Sequence, residues 1–225
     1  RIIVNLNTDT LVCDSSNYIL SLNTGNGIIS SGATKWYNIS TSITKDGGVA
    51  ANPSDIDGLV PDGAYMLDNT HSYKLVNNTR DYRIITYNIK PVFLDVNGHY
   101  PDCDKGIDTT IIIYLNPTPV FGTILISDTV ICNETFITIT PLNTQIVAGN
   151  GVVKYEFETE SVSLTGYRDN SAPPYLMGAF TDLLVNSSSF IQPIEYKFSP
   201  LIDDPDHPNC FNGILDSVLI KVAPT

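Results

Sequence analysis

The sequence predicts an all-β chain arranged as two tandem antiparallel β-sandwiches, and three observations carry that expectation. A phrase is written twice, the apolar residues fall in short β-branched runs, and no window has a helical apolar period. The repeated phrase is "TDTLVCD" at residues 8–14 and "SDTVICN" at 127–133. With Cys13 laid on Cys132, Trp36 of "TKWYNI" falls on Tyr155 of "VKYEFE", both 23 residues from their cysteine. Further along, "ITYNIKP" ending at Pro91 matches "IEYKFSP" ending at Pro200, and "CDKGIDTTIIIYLNPT" from Cys103 matches "CFNGILDSVLIKVAPT" from Cys210. The first copy is longer around "DGGVAANPSDIDGLVPDG" and again between Pro91 and Cys103, as loop insertions would make it.

The runs "ITYNIKPVFL", "DTTIIIYL", "GTILI", "TFITIT" and "SVLIKV" are bounded by Gly, Pro, Asn and Asp, the signature of strands between turns. Seven or so such strands per copy point to a sandwich of immunoglobulin type, although the antibody-like Cys, Trp, Cys spacing is absent. The expected boundaries are a first unit over 1–116, a Pro-rich linker over 117–120 and a second unit over 121–225. Pro117 and Pro119 favour an extended, stiff connection, because each fixes its own φ and biases its predecessor away from helix. The chain closes on "VAPT", where the first copy enters its linker, which suggests a segment of a longer tandem array.

With 42% hydrophobic residues the chain can fill two ordinary cores. A net charge of −12 and a pI near 4.4 argue against nucleic acid and against anionic membrane surfaces. No 18-residue apolar stretch and no signal-peptide pattern is present.

The four cysteines fall two per copy. If each unit folds by itself, the expected structural disulfides are Cys13 with Cys103 and Cys132 with Cys210, each closing a long loop and stabilising by roughly 4 kcal/mol on the chain-entropy model. Disulfides imply an oxidising compartment, hence export. The close CxxC spacing of a metal or redox site is absent.

No catalytic constellation is expected. His71, His99 and His207 sit in loop-like context, and no nucleophile elbow, HExxH or phosphate-cradling glycine loop occurs. Two acidic hairpins are weighed as calcium sites: Asp95, Asn97, Asp102 and Asp104 in the first copy, and Asp203, Asp204, Asp206 and Asn209 in the second. Hard oxygen donors around a turn suit Ca²⁺, whereas the alternative is a solvated turn chosen for its backbone. No other cofactor is expected. Sequons at Asn38, Asn77, Asn133 and Asn186 read as chance, on the view that they do not coincide between the copies. Tyr65, Tyr73, Tyr82, Tyr167 and Tyr175 could form a sugar-binding platform, but read better as core edge, and Trp36 reads as a core residue.

The matched landmarks "DTLVC" and "DTVIC", "KW" and "KY", "YNIKP" and "YKFSP", "CDKG" and "CFNG", and the closing "NPTP" resemble the PKD-like or immunoglobulin-like repeats of giant Bacteroidota cell-surface adhesins of the gliding-motility type. The resemblance covers essentially the whole chain. It implies type IX secretion, a place on the outer cell surface, and a part in adhesion or gliding. It also implies O-glycosylation at Asp-Ser/Thr-aliphatic motifs, here Thr10, Thr109, Thr129 and Ser217, read as paired between the copies. The expected function is a non-enzymatic stalk or filament segment whose partners are neighbouring repeats of the same long chain and a surface polysaccharide or another cell, without membrane insertion. The alternative is a carbohydrate-binding or spacer module of a secreted polysaccharide-degrading enzyme.

Overall fold

A computed structural model describes residues 2–6, 10–24, 34–66, 70–94, 108–169 and 175–225, and the chain divides into two compact units, 1–117 and 118–225. In the first unit the strands are β1 (Ile2–Leu6), β2 (Leu11–Val12), β3 (Ser16–Thr24), β4 (Thr34–Thr44), β5 (Ile56–Asp57), β6 (Gly63–Met66), β7 (Thr70–Asn77), β8 (Arg83–Leu94) and β9 (Thr109–Leu115). The second has β10 (Thr123–Ile126), β11 (Val130–Ile131), β12 (Thr135–Leu142), β13 (Val152–Glu160), β14 (Leu164–Thr165), β15 (Phe180–Asn186), β16 (Gln192–Asp203) and β17 (Asp216–Val222).

Sheet order repeats between the units apart from β6, whose place in the second unit is taken by the isolated bridge of Tyr155 with Leu176. One sheet runs β1-β3-β7-β5 and then β10-β12-β15-β14; the facing sheet runs β2-β9-β8-β4-β6 and then β11-β17-β16-β13. All pairs are antiparallel except β2 with β9 and β11 with β17. This is an immunoglobulin-like β-sandwich, in which the first strand splits and its second part joins the last strand in parallel.

Strand alternation explains the cores. Tyr18, Leu20 and Leu22 of β3 point inward with Tyr37 and Ile39 of β4, Ile85, Tyr87 and Ile89 of β8, and Ile111, Ile113 and Leu115 of β9. The second unit repeats the scheme with more aromatic rings: Phe157 stacks on Phe180 at 4.6 Å and meets Tyr196 and Phe198 at 5.9 and 5.7 Å. Pro91 and Pro200 fall inside long strands at no hydrogen-bonding cost. The last strand of each unit pairs β8 only as far as Ile89 and β16 only as far as Phe198, so no ladder partner is lost where the proline lacks its N–H.

The short strands β5 and β14 end on glycines of positive φ, Gly58 at 79° and Gly166 at 85°. A Cβ at Gly58 would lie 2.0 Å from the Lys74 carbonyl oxygen, and one at Gly166 would lie 1.9 Å from that of Leu183. Only glycine permits this approach to the neighbouring strand.

Two details of the sequence alignment are corrected by register. Pro91 faces Tyr37, and Pro200 faces Tyr155, so the counterpart of Tyr155 is Tyr37 and not Trp36. Tyr37 and Tyr155 are both core residues, whereas Trp36 lies one step along, half-buried, on the other face. His71 lies in β7 and not in a loop.

Two outcomes are expected. Phe157→Ala should destabilise the second unit by about 4 kcal/mol, read from the urea midpoint of that unit's transition. Burial pushes Tyr37, Tyr87 and Tyr155 each up to about 12. A raised folded pKa stabilises fully below the unfolded tyrosine value of about 10, and that contribution is lost as pH climbs from there toward the folded value. Urea midpoints should therefore fall between pH 10 and 12 by that general scale, and Tyr87→Phe should make the decline shallower.

Candidate functional site

The feature the two units share most closely is a buried asparagine at the end of β7 and β15. Asn77 donates its side-chain amide to the carbonyls of Asp81 and Leu115, both at 3.1 Å, and its Oδ1 accepts from the Thr79 N–H at 3.0 Å and the Thr79 hydroxyl at 2.7 Å. Asn186 does the same toward Phe190 and Val222 at 2.8 and 2.9 Å, and toward the N–H and hydroxyl of Ser188 at 3.0 and 2.8 Å. One side chain thus closes the turn into β8 or β16 and ties it to the end of β9 or β17. The backbone N–H of each asparagine donates in turn to the residue after the first cysteine, Asn77 to Asp14 and Asn186 to Asn133, both at 2.6 Å. The residues that follow, Ser15 and Glu134, take positive φ at 61° and 55°, completing the same tight turn in both copies.

These asparagines are sequons, and the expectation that no sequon coincides between the copies is overturned. Asn77 and Asn186 stand 109 residues apart, the same interval as Pro91 and Pro200. The Thr or Ser two places on is there to complete an Asx turn, and the amide that a glycan would need is spent on two carbonyls inside the fold.

The turn after the first cysteine places the cysteine itself. The Tyr114 and Asn116 N–H groups donate to the carbonyls of Thr10 and Val12, and those of Lys221 and Ala223 donate to Thr129 and Ile131. Cys13 and Cys132 therefore occupy the same position beside the last strand. Cys13 and Cys210 are each disulfide-bonded, whereas Cys132 is a free, exposed thiol, and Cys103 lies outside the described residues. The expected bridge between Cys132 and Cys210 is not formed, for a plain geometric reason. Cys132 follows Ile131, which pairs with Val222 opposite Gln192 at the start of β16, while Cys210 bridges Ile202 near the end of that strand. Ten residues of strand separate those points, about 33 Å at the usual rise, against the 4.4–6.8 Å between Cα atoms that a disulfide spans.

The O-glycosylation candidates divide in the same way. Thr10 and Thr129 are equivalent, exposed, and one residue before the parallel strand pair. Thr109 and Ser217 are not equivalent: Ile89 faces Thr109 and Phe198 faces Asp216, so the counterpart of Ser217 is Thr110. A one-residue shift turns the side chain to the other face, and Thr109 is half-buried where Ser217 is exposed.

The first acidic hairpin, Asp95, Asn97, Asp102 and Asp104, lies outside the described residues. In the second, most of the oxygens are engaged by protein donors, while Asp204 Oδ2 is buried with no hydrogen-bond partner. Asp203 accepts from Lys154 Nζ at 2.5 Å and from Asn209 Nδ2 at 2.8 Å, Asp204 from the Asp206 N–H at 2.9 Å, and Asp206 from Asn150 Nδ2 at 2.7 Å. The Lys154 contact holds the Asp203 carboxyl below its usual value. His207 Nδ1 stands 3.4 Å from Asp204. Among the described residues no group of three or more His, Cys, Asp or Glu is placed to hold a metal ion.

The tyrosines considered for sugar stacking serve the two units. Tyr65 stacks on Tyr37 at 5.7 Å and donates to the Pro61 carbonyl at 2.6 Å. Tyr82 donates to Asp46 at 2.6 Å, Tyr73 and Tyr167 pack against the cores, and Tyr175 meets Phe211 edge-on at 5.9 Å.

Sequence reasoning missed a buried acid. Asp182 is 3% exposed and accepts from Arg168 Nε at 2.7 Å, from the Arg168 N–H at 3.1 Å and from the Tyr196 hydroxyl at 2.8 Å. In the first unit the equivalent hydroxyl, that of Tyr87, accepts from the Val60 N–H at 3.3 Å. The signal was an Asp between Phe180 and Leu184 on the inward phase of β15.

Neither a family model nor a curated protein sequence matches the chain. Similar solved structures include the Yersinia pseudotuberculosis adhesin InvE, 14% identical over 98% of this chain and 58% of that one, with a TM-score of 0.31. Murine CEACAM1b is 13% identical over 99% of this chain and 100% of that one, with a TM-score of 0.28. The D0-D1 domain of intimin is 8% identical over 98% and 94%, with a TM-score of 0.25. The chain spans 58% of the length of the InvE structure. The fold assignment rests on strand order and not on these likenesses.

Asn186→Ala should destabilise the second unit by about 3 kcal/mol, because it strands the buried Val222 carbonyl and the Ser188 N–H and takes one donor from the part-buried Phe190 carbonyl. Chemical denaturation of that unit measures it.

Proposed function

We propose that this chain is a non-enzymatic stalk segment of a large, exported bacterial cell-surface adhesin. The observation that carries the reading is the duplicated sheet order, with a complete core in each unit. A fold that closes its own core in roughly a hundred residues gains length simply by adding copies, and stability becomes nearly a sum over units. Disulfide-bonded Cys13 and Cys210 support an oxidising, extracellular setting. The acidic surface, 24 carboxylates against 12 Lys and Arg, keeps neighbouring arrays apart in solution.

In this reading adhesion or gliding comes from many weak contacts along the array, to a surface polysaccharide or another cell, and Thr10 and Thr129 are the paired glycan positions. The partners along the chain are other units of the same fold. Small-angle scattering of the two-unit chain tests the stalk: an elongated two-body profile is expected, and a compact globular one overturns it.

A further inference from the structure

We infer that the second unit cleaves its own backbone between Asp204 and Pro205, with the Asp204 carboxylate as the internal nucleophile and His207 as the proton donor. The event is a single self-processing step and not turnover, and it goes beyond the stalk reading without depending on it.

The bond is singled out chemically. Asp204-Pro205 is the one Asp-Pro pair in the sequence, and the matching hairpin of the first copy, "DVNGHYPDC", has none. A peptide bond to proline is a tertiary amide without an N–H, and its nitrogen takes up a proton and departs more readily than that of an ordinary amide. A carboxylate on the preceding residue stands one five-membered ring away from the carbonyl carbon it must attack, so the nucleophile is delivered by covalent proximity.

The fold then prepares that carboxylate. Asp204 directly follows β16 and is 4% exposed. Its two oxygens differ. Oδ1 accepts from the Asp206 N–H at 2.9 Å and faces His207 Nδ1 at 3.4 Å, whereas Oδ2 is buried with no hydrogen-bond partner. One oxygen is anchored, and the other lacks the donors that would weaken it as a nucleophile. The turn before β13 lies against it: a Cβ at Gly151 would stand 3.4 Å from Oδ2. His207 Nδ1 is likewise buried and makes no hydrogen bond, and imidazole is the side chain that exchanges protons near neutrality. The other charged groups around the hairpin are committed elsewhere. Asp203 is held by Lys154 of β13 and by Asn209, and Asp206 by Asn150.

The step balances with water alone. Asp204 Oδ2 attacks the Asp204 main-chain carbonyl carbon, the C–N bond to Pro205 breaks, and the departing nitrogen takes a proton from His207. Pro205 becomes a free secondary amine and Asp204 a cyclic anhydride. Water opens the anhydride to two carboxyl groups, and the protons released go to the imidazole and the new amine. The ladders of β17 with β16 and β11 are untouched, so the cut chain keeps its sandwich.

The test purifies the chain at about pH 8, moves it to about pH 5, the span over which histidines take up protons, and follows a fragment 205–225 by mass spectrometry after reduction and denaturation. The fragment beginning at Pro205 should form at least about ten-fold faster in the folded chain than in the same chain held unfolded in urea at the same pH, because only the fold sets the carboxylate and the imidazole together. Asp204→Ala should abolish it. His207→Gln should slow it by about 100-fold and flatten its rise between about pH 8 and pH 5, with the urea midpoint of the second unit showing that the variant is folded. An intact bond in the folded chain, or a rate in urea equal to or above the folded rate, overturns the self-cleavage. An unchanged rate in folded His207→Gln overturns the assignment of the proton donor.

Discussion

A buried primary amide sets the frame on which both units are built. Asn77 and Asn186 each satisfy two carbonyls and a turn N–H from inside the fold, while their own backbone N–H is taken by Asp14 or Asn133. Buried backbone groups at a turn cost one to several kcal/mol when left without partners, so one side chain with two donors and one acceptor resolves three such costs together. The turn into β8 or β16, the turn after the first cysteine, and the end of the last strand are thereby locked to one another. The position of the cysteine, and the parallel strand that precedes it, depend on that lock.

Around this frame the two copies diverge where sterics leave room. The second core is filled by stacked and tilted rings, Phe157, Phe180, Tyr196 and Phe198, and the first by aliphatic side chains with fewer rings. The inward tyrosine hydroxyl of β8 or β16 must find a partner in either case. The first unit supplies a backbone N–H from its long loop, and the second supplies an aspartate that then needs Arg168. Burying Asp182 is affordable in free energy only with that full set of donors. The longer loop of the first unit and the ion pair of the second are alternative answers to one unsatisfied group.

Much of this was legible in the residues. Duplicated spacing, β-branched runs and the placing of prolines led to two all-β sandwiches, and the coincidence of Asn77 with Asn186 was available from the same interval that relates Pro91 to Pro200. It was missed because a sequon was weighed as a modification signal and not as an Asx turn. Trp36 and Thr109 were misplaced for a different reason. For Trp36 the zero-gap match from the cysteine differs from the true register by one residue. For Thr109 the match of its Asp-Thr motif to Asp-Ser does, since the gapless spacing from Cys103 and Cys210 sets Thr109 on Asp216, and in a strand one residue is the difference between core and solvent.

By itself the sequence determined the class of fold, the number of units and the partition of each strand into inner and outer faces. Those follow from local chemistry: alternation, β-branching and turn residues act within a few positions. The tertiary structure alone decided which cysteines could meet. Both members of a pair in one repeat suggested a bridge within the unit, but β16 runs the length of the sandwich and carries the neighbours of Cys132 and Cys210 to opposite ends. Distance along the chain does not report distance across a sheet, and a covalent bond of a few ångströms depends only on the second.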